Sequence, residues 1–275
     1  GVIRANTPEE FQAAVARIKA IVESPEIQST REPELDRLLV ERYVPGSEVA
    51  VEGLLTRGRL RFLAIFDKPD PLEGPYFEET IYVTPSRQPG EMQDRIADCA
   101  ERTVKALGLT HGPVHAEFRV NESGPVVLEA VPRPIGGLCS QALHFGPQRA
   151  LLEEILVRHA LGMPGSDLDR EDDASGVMMI PVPKTGVLQR VEGEDEARAT
   201  PGIEDVQITA RLHDSIAAWP EGSSYLGFIF ARGNSPAEVE AALRRAHGVL
   251  KFEIAEQLPV EHPVTGTLPA AGASG

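Results

Sequence analysis

Apolar positions recur along this chain with two periods, and the switches between them mark its elements. Phe11, Ala14, Val15, Ile18 and Val22 follow helical spacing behind Thr7-Pro8-Glu9-Glu10, a capping box with Pro at the first helical position. That predicts a helix to about Val22, with Ser24 to Arg37 as a polar loop. Alternation with period two then predicts strands at 38–44, 48–56 and 59–67, the last two joined by the Thr56-Arg57-Gly58 turn. Asp67 to Glu79 (DKPDPLEGPYFEE) is a loop punctuated by Pro and Gly, and Thr80 to Thr84 is a short strand. Gln88 to Leu107 is helical and stops at Gly108. In His115 to Arg133 (HAEFRVNESGPVVLEAVPR), two alternating runs flank the turn Asn121-Glu122-Ser123-Gly124, which predicts a β-hairpin. A helix from Gln148 to Leu161 ends at Gly162 and Pro164.

Residues 166–175 (SDLDREDDAS) are acidic, break the pattern and read as a solvated linker. Beyond them GVMMIPVP, GVLQRV, IEDVQITARL, YLGFIFARG and LKFEIAE read as strands, and Ser235-x-x-Glu238 caps a helix to about His247. This half reads as a small α/β unit on a mostly antiparallel sheet over 176–258. Residues 259–275, rich in Pro, Ala and Gly, read as a disordered tail.

A length of 275 residues allows one large domain or two modest ones, and 41% hydrophobic content supports an ample core. A net charge of −15 argues against nucleic acid held by a broad basic surface and against docking on anionic lipid. No apolar run approaches a membrane span, and the start carries no basic–apolar–small signal, so the cytoplasm is the expected location. Two cysteines, Cys99 and Cys139, make no disulfide framework, and Cys139 reads as a small buried filler.

The chemistry concentrates in the hairpin. Glu117 and Glu129 each sit in an otherwise apolar strand, one on each side of the turn. A carboxylate sharing a face with core residues must be paired or bind a cation. Two carboxylates facing each other repel unless a positive group lies between them, and oxygen ligands of this kind suit Mg²⁺ bridged to phosphates. Arg133, four residues after Glu129, is placed to meet a phosphate bidentately. The alternative is a structural ion pair of Glu117 with Arg119 or Arg133.

These residues resemble the ATP-grasp superfamily, whose core has a Glu on one strand, a hairpin and then a Glu-x-Asn-x-Arg pattern. Here the pattern reads Glu129-Ala130-Val131-Pro132-Arg133, the two carboxylates are twelve positions apart, and Pro134-Ile135-Gly136-Gly137 follows as the family's glycine-rich loop does. Val131 stands where many members have an Asn that completes the metal shell. The branch that resembles L-amino-acid ligases has apolar residues there, and a second Mg²⁺ stays open. Upstream, LLVERYVPGSEVAVEGLL (Leu38 to Leu55) resembles the hinge strand that holds adenine. By that resemblance the Glu41 carbonyl and the Val44 N–H meet adenine, and Glu48 meets the ribose. Alone, Glu48 would read as a solvated strand-edge charge.

The resemblance extends to Lys68, which would face phosphates or the acyl substrate, against a snorkelling surface Lys as alternative. Either Glu78 or Glu79 would receive a substrate ammonium group, and Gly136 and Gly137 would border the substrate. His111 and His115 read as structural histidines. No HExxH, GxSxG or framed Cys–His pattern supports a metalloprotease or triad hydrolase.

The resemblance implies an α/β fold of the α+β type. Residues 1–37 would be a remnant of the smaller ATP-grasp lobe, 38–165 the catalytic lobe with a mainly antiparallel sheet, and 176–258 an appended domain like that of L-amino-acid ligases. It implies an ATP- and Mg²⁺-dependent carboxylate–amine ligase working through an acyl phosphate, with Glu117 and Glu129 on the metal and Arg133 as the catalytic group. Small-molecule partners follow, amino acids or small carboxylates, and a homodimer is one assembly the resemblance allows, with the oligomeric state open. The alternatives are an ATP-grasp carboxylase or purine-pathway ligase, and a non-catalytic nucleotide-binding or dimerisation module. The opening Gly1-Val2-Ile3 is similar to the end of the family's glycine-rich loop, which implies a portion of a longer protein, inactive alone.

Overall fold

The capping box at the start forms as read: α1 (Pro8–Val22) begins where Thr7 Oγ1 accepts from the Glu10 N–H at 3.2 Å. A computed structural model describes residues 1–31, 35, 37–72, 74–163, 168–256, 260–262 and 266–268. The stretch read as loop after α1 holds a short helix, α2 (Pro25–Ser29), capped by Ser24. Then come β1 (Ser47–Thr56), β2 (Arg59–Lys68), β3 (Ile81–Thr84), α3 (Gly90–Ala106), and the hairpin β4 (Gly112–Asn121) and β5 (Gly124–Val131). A 3₁₀ turn at Cys139–Ala142 leads to β6 (His144–Phe145), β7 (Ala150–Leu151) and α4 (Leu152–Ala160). The second half holds β8 (Ala174–Ile180), β9 (Gly186–Glu192), α5 (Glu194–Arg198), β10 (Ile203–Ile208), β11 (Ser215–Ile216), β12 (Gly227–Gly233), α6 (Pro236–Val249) and β13 (Lys251–Ala255). Two three-residue strands, β14 (Val260–His262) and β15 (Gly266–Leu268), pair as a hairpin inside the stretch read as a disordered tail; the rest of that tail lies outside the described residues.

Eight strands form one sheet in the order β10-β12-β8-β3-β2-β1-β4-β5, and every neighbouring pair is antiparallel. The two halves of the chain therefore share a sheet, joined where β3 pairs with β8. Both faces are covered. Ile96, Ala100 and Val104 of α3 pack on Val49, Val51, Leu55 and Phe118. On the opposite face Ala50, Leu54, Phe66 and Tyr82 meet Ile135, Leu143, Phe145 and Ile155. Farther along, Val239, Leu243 and Ala246 of α6 cover Val83, Met178 and Ile229, next to Leu188 and Ile254 of the small sheet β11-β9-β13.

One expectation is corrected. Residues 38–44, read as the first strand of the hinge, form no strand, because no strand among the described residues runs beside them to complete a ladder. The segment is tied at its end instead: Asn121 Nδ2 donates to the Pro45 carbonyl at 2.9 Å and Arg119 to the Gly46 carbonyl at 2.7 Å. Gly46 has φ 127°, and a Cβ there would lie 2.3 Å from the Val120 carbonyl oxygen, so only glycine lets the segment turn this close to β4. In the acidic run Asp169, Asp172 and Asp173 are exposed, as a solvated stretch requires, while Glu171 and the backbone beside it are tied down. The Glu171 N–H donates to the His144 carbonyl at 3.0 Å, Gly146 N–H to Asp169 at 2.9 Å, and the largely buried Glu171 carboxylate pairs with Arg232 and Arg149. Residues 164–167 lie outside the described residues.

Candidate active site

Alternation along a strand decides which side chains meet. In β4, His115, Glu117 and Arg119 are two residues apart and so share a face. Register adds their partners: Glu48 of β1 lies opposite both Arg119 and Lys68 of β2, and Glu52 lies opposite His115. One face of three adjacent strands thus carries Glu48, Glu52, Lys68, His115, Glu117 and Arg119, and Glu79 reaches it from the loop before β3.

The fourth strand joins through a bulge. Phe118 pairs with Val127, but Glu117 pairs with Glu129, leaving Leu128 as the extra residue. Were the same residues paired one to one beyond Val127, Glu117 would oppose Leu128, and Glu129 would oppose Ala116 on the α3 side. The bulge is what brings the two hairpin carboxylates onto one face.

At the centre is the buried Lys68 ammonium. It donates to Glu48 at 2.6 Å, to Glu117 at 2.7 Å and to Glu79. Arg119 closes the next ring, 2.8 Å from Glu48 Oε2 and donating to the carbonyls of Gly46 and Leu72 at 2.7 and 2.9 Å. His115 sits between two carboxylates, with Nδ1 on Glu52 and Nε2 3.3 Å from Glu117, and the other Glu52 oxygen accepts from the Ile135 N–H at 3.1 Å. The Tyr82 hydroxyl donates to Glu117 at 3.4 Å. Three cations thus neutralise most of four carboxylates, as burial demands.

The titrations follow from these contacts. Burial works against a charged Lys68, but Glu79, Glu117 and Glu48 outweigh it and raise its pKa. Burial also opposes ionisation of Glu117, yet His115 and Lys68 hold its carboxyl far below the usual carboxylate range. Burial and then the neighbouring Glu117 push Glu79 up, despite Lys68. For His115 burial is overcome by hydrogen bonds to Glu117 and Glu52, which lift it to about 9 and keep it protonated at neutral pH. Burial drives the Cys139 thiol up to about 12, which fits a filler and not a nucleophile.

Four residues singled out from the sequence therefore converge: Glu48, Lys68, Glu79 and Glu117. Lys68 is 7% exposed, so it is not a snorkelling surface lysine, and Glu48, 8% exposed, is not a solvated edge charge. Glu117 pairs with Lys68 and His115, neither of them the arginines weighed from the sequence. The others lie around this cluster. Glu129 and Arg133 are exposed, their side chains 54% and 53% accessible and 4.0 Å apart. Gly136 and Gly137 are exposed beyond them, and Gly137 has φ 61° against the Phe228 ring. Glu41 is exposed and Val44 half-buried in the unpaired segment 37–45, where Tyr43 stacks on Phe77 at 6.3 Å. Glu78 keeps one buried carboxylate oxygen with no hydrogen-bond partner, and burial raises its pKa. Glu52, Arg119 and Tyr82 were missed, although Glu52 and Arg119 carry charge at the inward phase of apolar strands, a signal that could have marked them. Among the described residues Glu48, Glu79 and Glu117 bring one oxygen each to within 4.8 Å of one another, a spacing that suits a cation.

Comparison with known proteins now decides the family. Residues 1–142 match the ATP-grasp domain family. The chain belongs to the ATP-grasp family. Residues 178–255 of this ATP-grasp chain also match the L-amino acid ligase C-terminal domain 2. Its structure is similar to an L-amino acid ligase from Bacillus licheniformis, with TM-score 0.76 and 25% identity over 93% of this chain and 63% of that one. It also resembles a phosphoribosylglycinamide synthetase from Anaerococcus prevotii, with TM-score 0.61 and 12% identity over 78% of this chain and 55% of that one, a likeness of fold alone. Among curated proteins it is 34% identical over 129 residues to carnosine synthase 1 of Gallus gallus, covering 46% of this chain and 13% of that protein. It is 27% identical to the uncharacterized protein y4rH of Sinorhizobium fredii over 76% of this chain and 42% of that protein. The chain thus spans less than half the length of these curated relatives. No helix among the described residues is long and apolar enough to cross a membrane.

Proposed function

We propose that the protein carrying this chain is an ATP-dependent carboxylate–amine ligase that activates an amino acid or small carboxylate as its acyl phosphate and joins it to an amine. The observation that supports this most directly is the register of Glu117 opposite Glu129, beside a buried Lys68 that neutralises three carboxylates. The match of residues 178–255 to a ligase C-terminal domain favours a ligase over a carboxylase.

The donor set fits Mg²⁺: Glu117 and Glu129 are carboxylates from facing strands, and the cation-spaced group among the described residues, Glu48, Glu79 and Glu117, is all carboxylate oxygen. Glu117 and Glu129 would hold the ion, which when bound supplies charge neutralisation for the β- and γ-phosphates. In this reading Arg133, exposed at the rim, steadies charge on the transferring phosphoryl group and on the oxygen that follows it. Lys68 sets the spacing of Glu48, Glu79 and Glu117 with its three N–H donors, and in this reading it meets phosphate oxygens by exchanging one of these carboxylates for them. The Glu41 carbonyl and Val44 N–H meet adenine, and Glu48 meets the ribose. Glu78 or Glu79 accepts the substrate ammonium, for which the unpartnered oxygen of Glu78 is suited, and Gly136 and Gly137 leave room for the acyl group.

The test is phosphate release from Mg²⁺-ATP across a matrix of amino-acid pairs. Release that requires one acyl and one amine substrate is expected. Release driven by bicarbonate alone would identify a carboxylase, and nucleotide binding without release under any pairing would identify a non-catalytic module.

A further inference from the structure

Glu52 and His115 are polar groups in an interior position with no role in the scheme above. Glu52 is 1% exposed and His115 5%, and they face each other across β1 and β4. The contacts run in one line. The Ile135 N–H donates to Glu52 Oε2 at 3.1 Å, Glu52 Oε1 holds His115 Nδ1, and His115 Nε2 reaches Glu117 Oε1 at 3.3 Å. One end of the line is the carboxylate assigned to the metal. The other is the backbone between Arg133 and Gly136, the loop that borders the substrate. Neither Glu52 nor His115 is exposed enough to touch a ligand itself.

A buried ion pair adds little stability over apolar residues of the same volume, so stability does not account for this one. Its geometry does specify something. An imidazole with one nitrogen fixed by a carboxylate has one ring orientation, and its second nitrogen then fixes the group beyond it. Glu117 Oε1 is held by Lys68 at 2.7 Å from one side and by His115 at 3.3 Å from the other, and only the His115 side connects it, through Glu52, to the 134–137 loop.

We propose that Glu52 and His115 are positioning residues, a two-residue strut that holds the Glu117 carboxylate and the 134–137 loop in register with each other. The proposal rests on the ligase reading for its consequence in turnover, but not for its structural content. The strut sets the distance between the metal-holding carboxylate and the loop carrying Arg133 and Gly136, the distance across which a phosphoryl group would move.

The test uses the intact protein with the paired change Glu52→Leu/His115→Phe, which replaces the buried pair by apolar side chains of similar size and should fold. Amide hydrogen exchange is followed in the peptide spanning 134–138, alongside phosphate release. The strut predicts that exchange there rises about tenfold or more while the rest of β4 and β5 stays protected. It predicts that kcat falls about tenfold to a hundredfold with KM for Mg²⁺-ATP within about threefold. Glu52→Gln keeps an acceptor for the Ile135 N–H and should retain loop protection. A folded double variant whose 134–138 exchange matches wild type overturns the proposal. So does a rise in KM with kcat unchanged, which would make the pair a ground-state binding element. If wild type itself releases no phosphate with any substrate pair, the ligase reading fails, and the exchange result alone still decides the strut.

Discussion

The Lys68 ammonium donates to Glu117 at 2.7 Å from a strand that is not its neighbour. Lys68 is on β2 and Glu117 on β4, with β1 between them. The residue opposite Glu117 on β1 is Ala50, and its small side chain lets the lysine cross over it. A tethered ammonium therefore lies among carboxylates from β1, β4 and the loop before β3.

Removing that ammonium should expose the repulsion it suppresses. Lys68→Met leaves three carboxylate oxygens within 4.8 Å of one another with their shared cation gone. The expected loss of stability is about 3 kcal/mol or more, because partners of a buried charge are left unpaired. Thermal unfolding with added Mg²⁺ checks the cause: the variant should regain stability that wild type does not. Equal midpoints for variant and wild type would refute the neutralising role.

The two hairpin carboxylates should separate by experiment. Glu117 is largely buried and held by Lys68 and His115, so Glu117→Gln should cost about 1–3 kcal/mol. Glu129 is exposed, and Glu129→Gln should change stability by no more than about 0.5 kcal/mol. In the ligase reading both lower Mg²⁺-ATP turnover by orders of magnitude. Denaturant midpoints and phosphate release on the same samples distinguish them, and a stability loss for Glu129→Gln as large as for Glu117→Gln would contradict the burial difference.

The bulge at Leu128 gives a sharper test of geometry. Deleting that residue leaves Val127 opposite Phe118 and Glu129 opposite Glu117 in an unbroken ladder, so both carboxylates keep their face. The deletion variant should fold and keep Mg²⁺-ATP turnover within about tenfold of wild type, because the pairing it needs is retained. Leu128→Ala keeps the bulge, and since Leu128 is 39% exposed it should cost no more than about 1 kcal/mol. Loss of turnover in a folded deletion variant would show that the local kink of the bulge, and not only the register it sets, positions Glu129.

Acid should weaken the α6 region before neutral pH does. Burial alone holds His247 below the ordinary histidine value of 6.5. The folded state therefore favours the neutral ring, and below 6.5 the unfolded chain binds more protons. This contribution is whole above the unfolded value and is lost as pH falls from there through the lower folded value. His247→Gln should flatten the decline of the unfolding midpoint between neutral and mildly acidic pH. An unchanged decline would mean that His247 titrates alike in both states.

What the sequence determined by itself is local. The alternation His115, Glu117, Arg119 and the turn at Asn121 to Gly124 specify a hairpin with charges on an inward face, because side-chain direction on a strand follows from parity alone. The capping signals at Thr7 and Ser235 specify where α1 and α6 begin, because a cap is satisfied within one turn. Tertiary structure decided everything that needed a partner distant in sequence. Whether residues 38–44 form a strand depended on a neighbour to complete its ladder. The sharing of one sheet by the two halves depended on β3 meeting β8. The parity rule would have put Glu129 on the wrong face, since a bulge is one residue of register that pattern does not record. Lys68 became the centre of the site for the same reason. Its three carboxylates come from residues 48, 79 and 117, and only the folded sheet brings a charge and its counter-charges within hydrogen-bond reach across such separations.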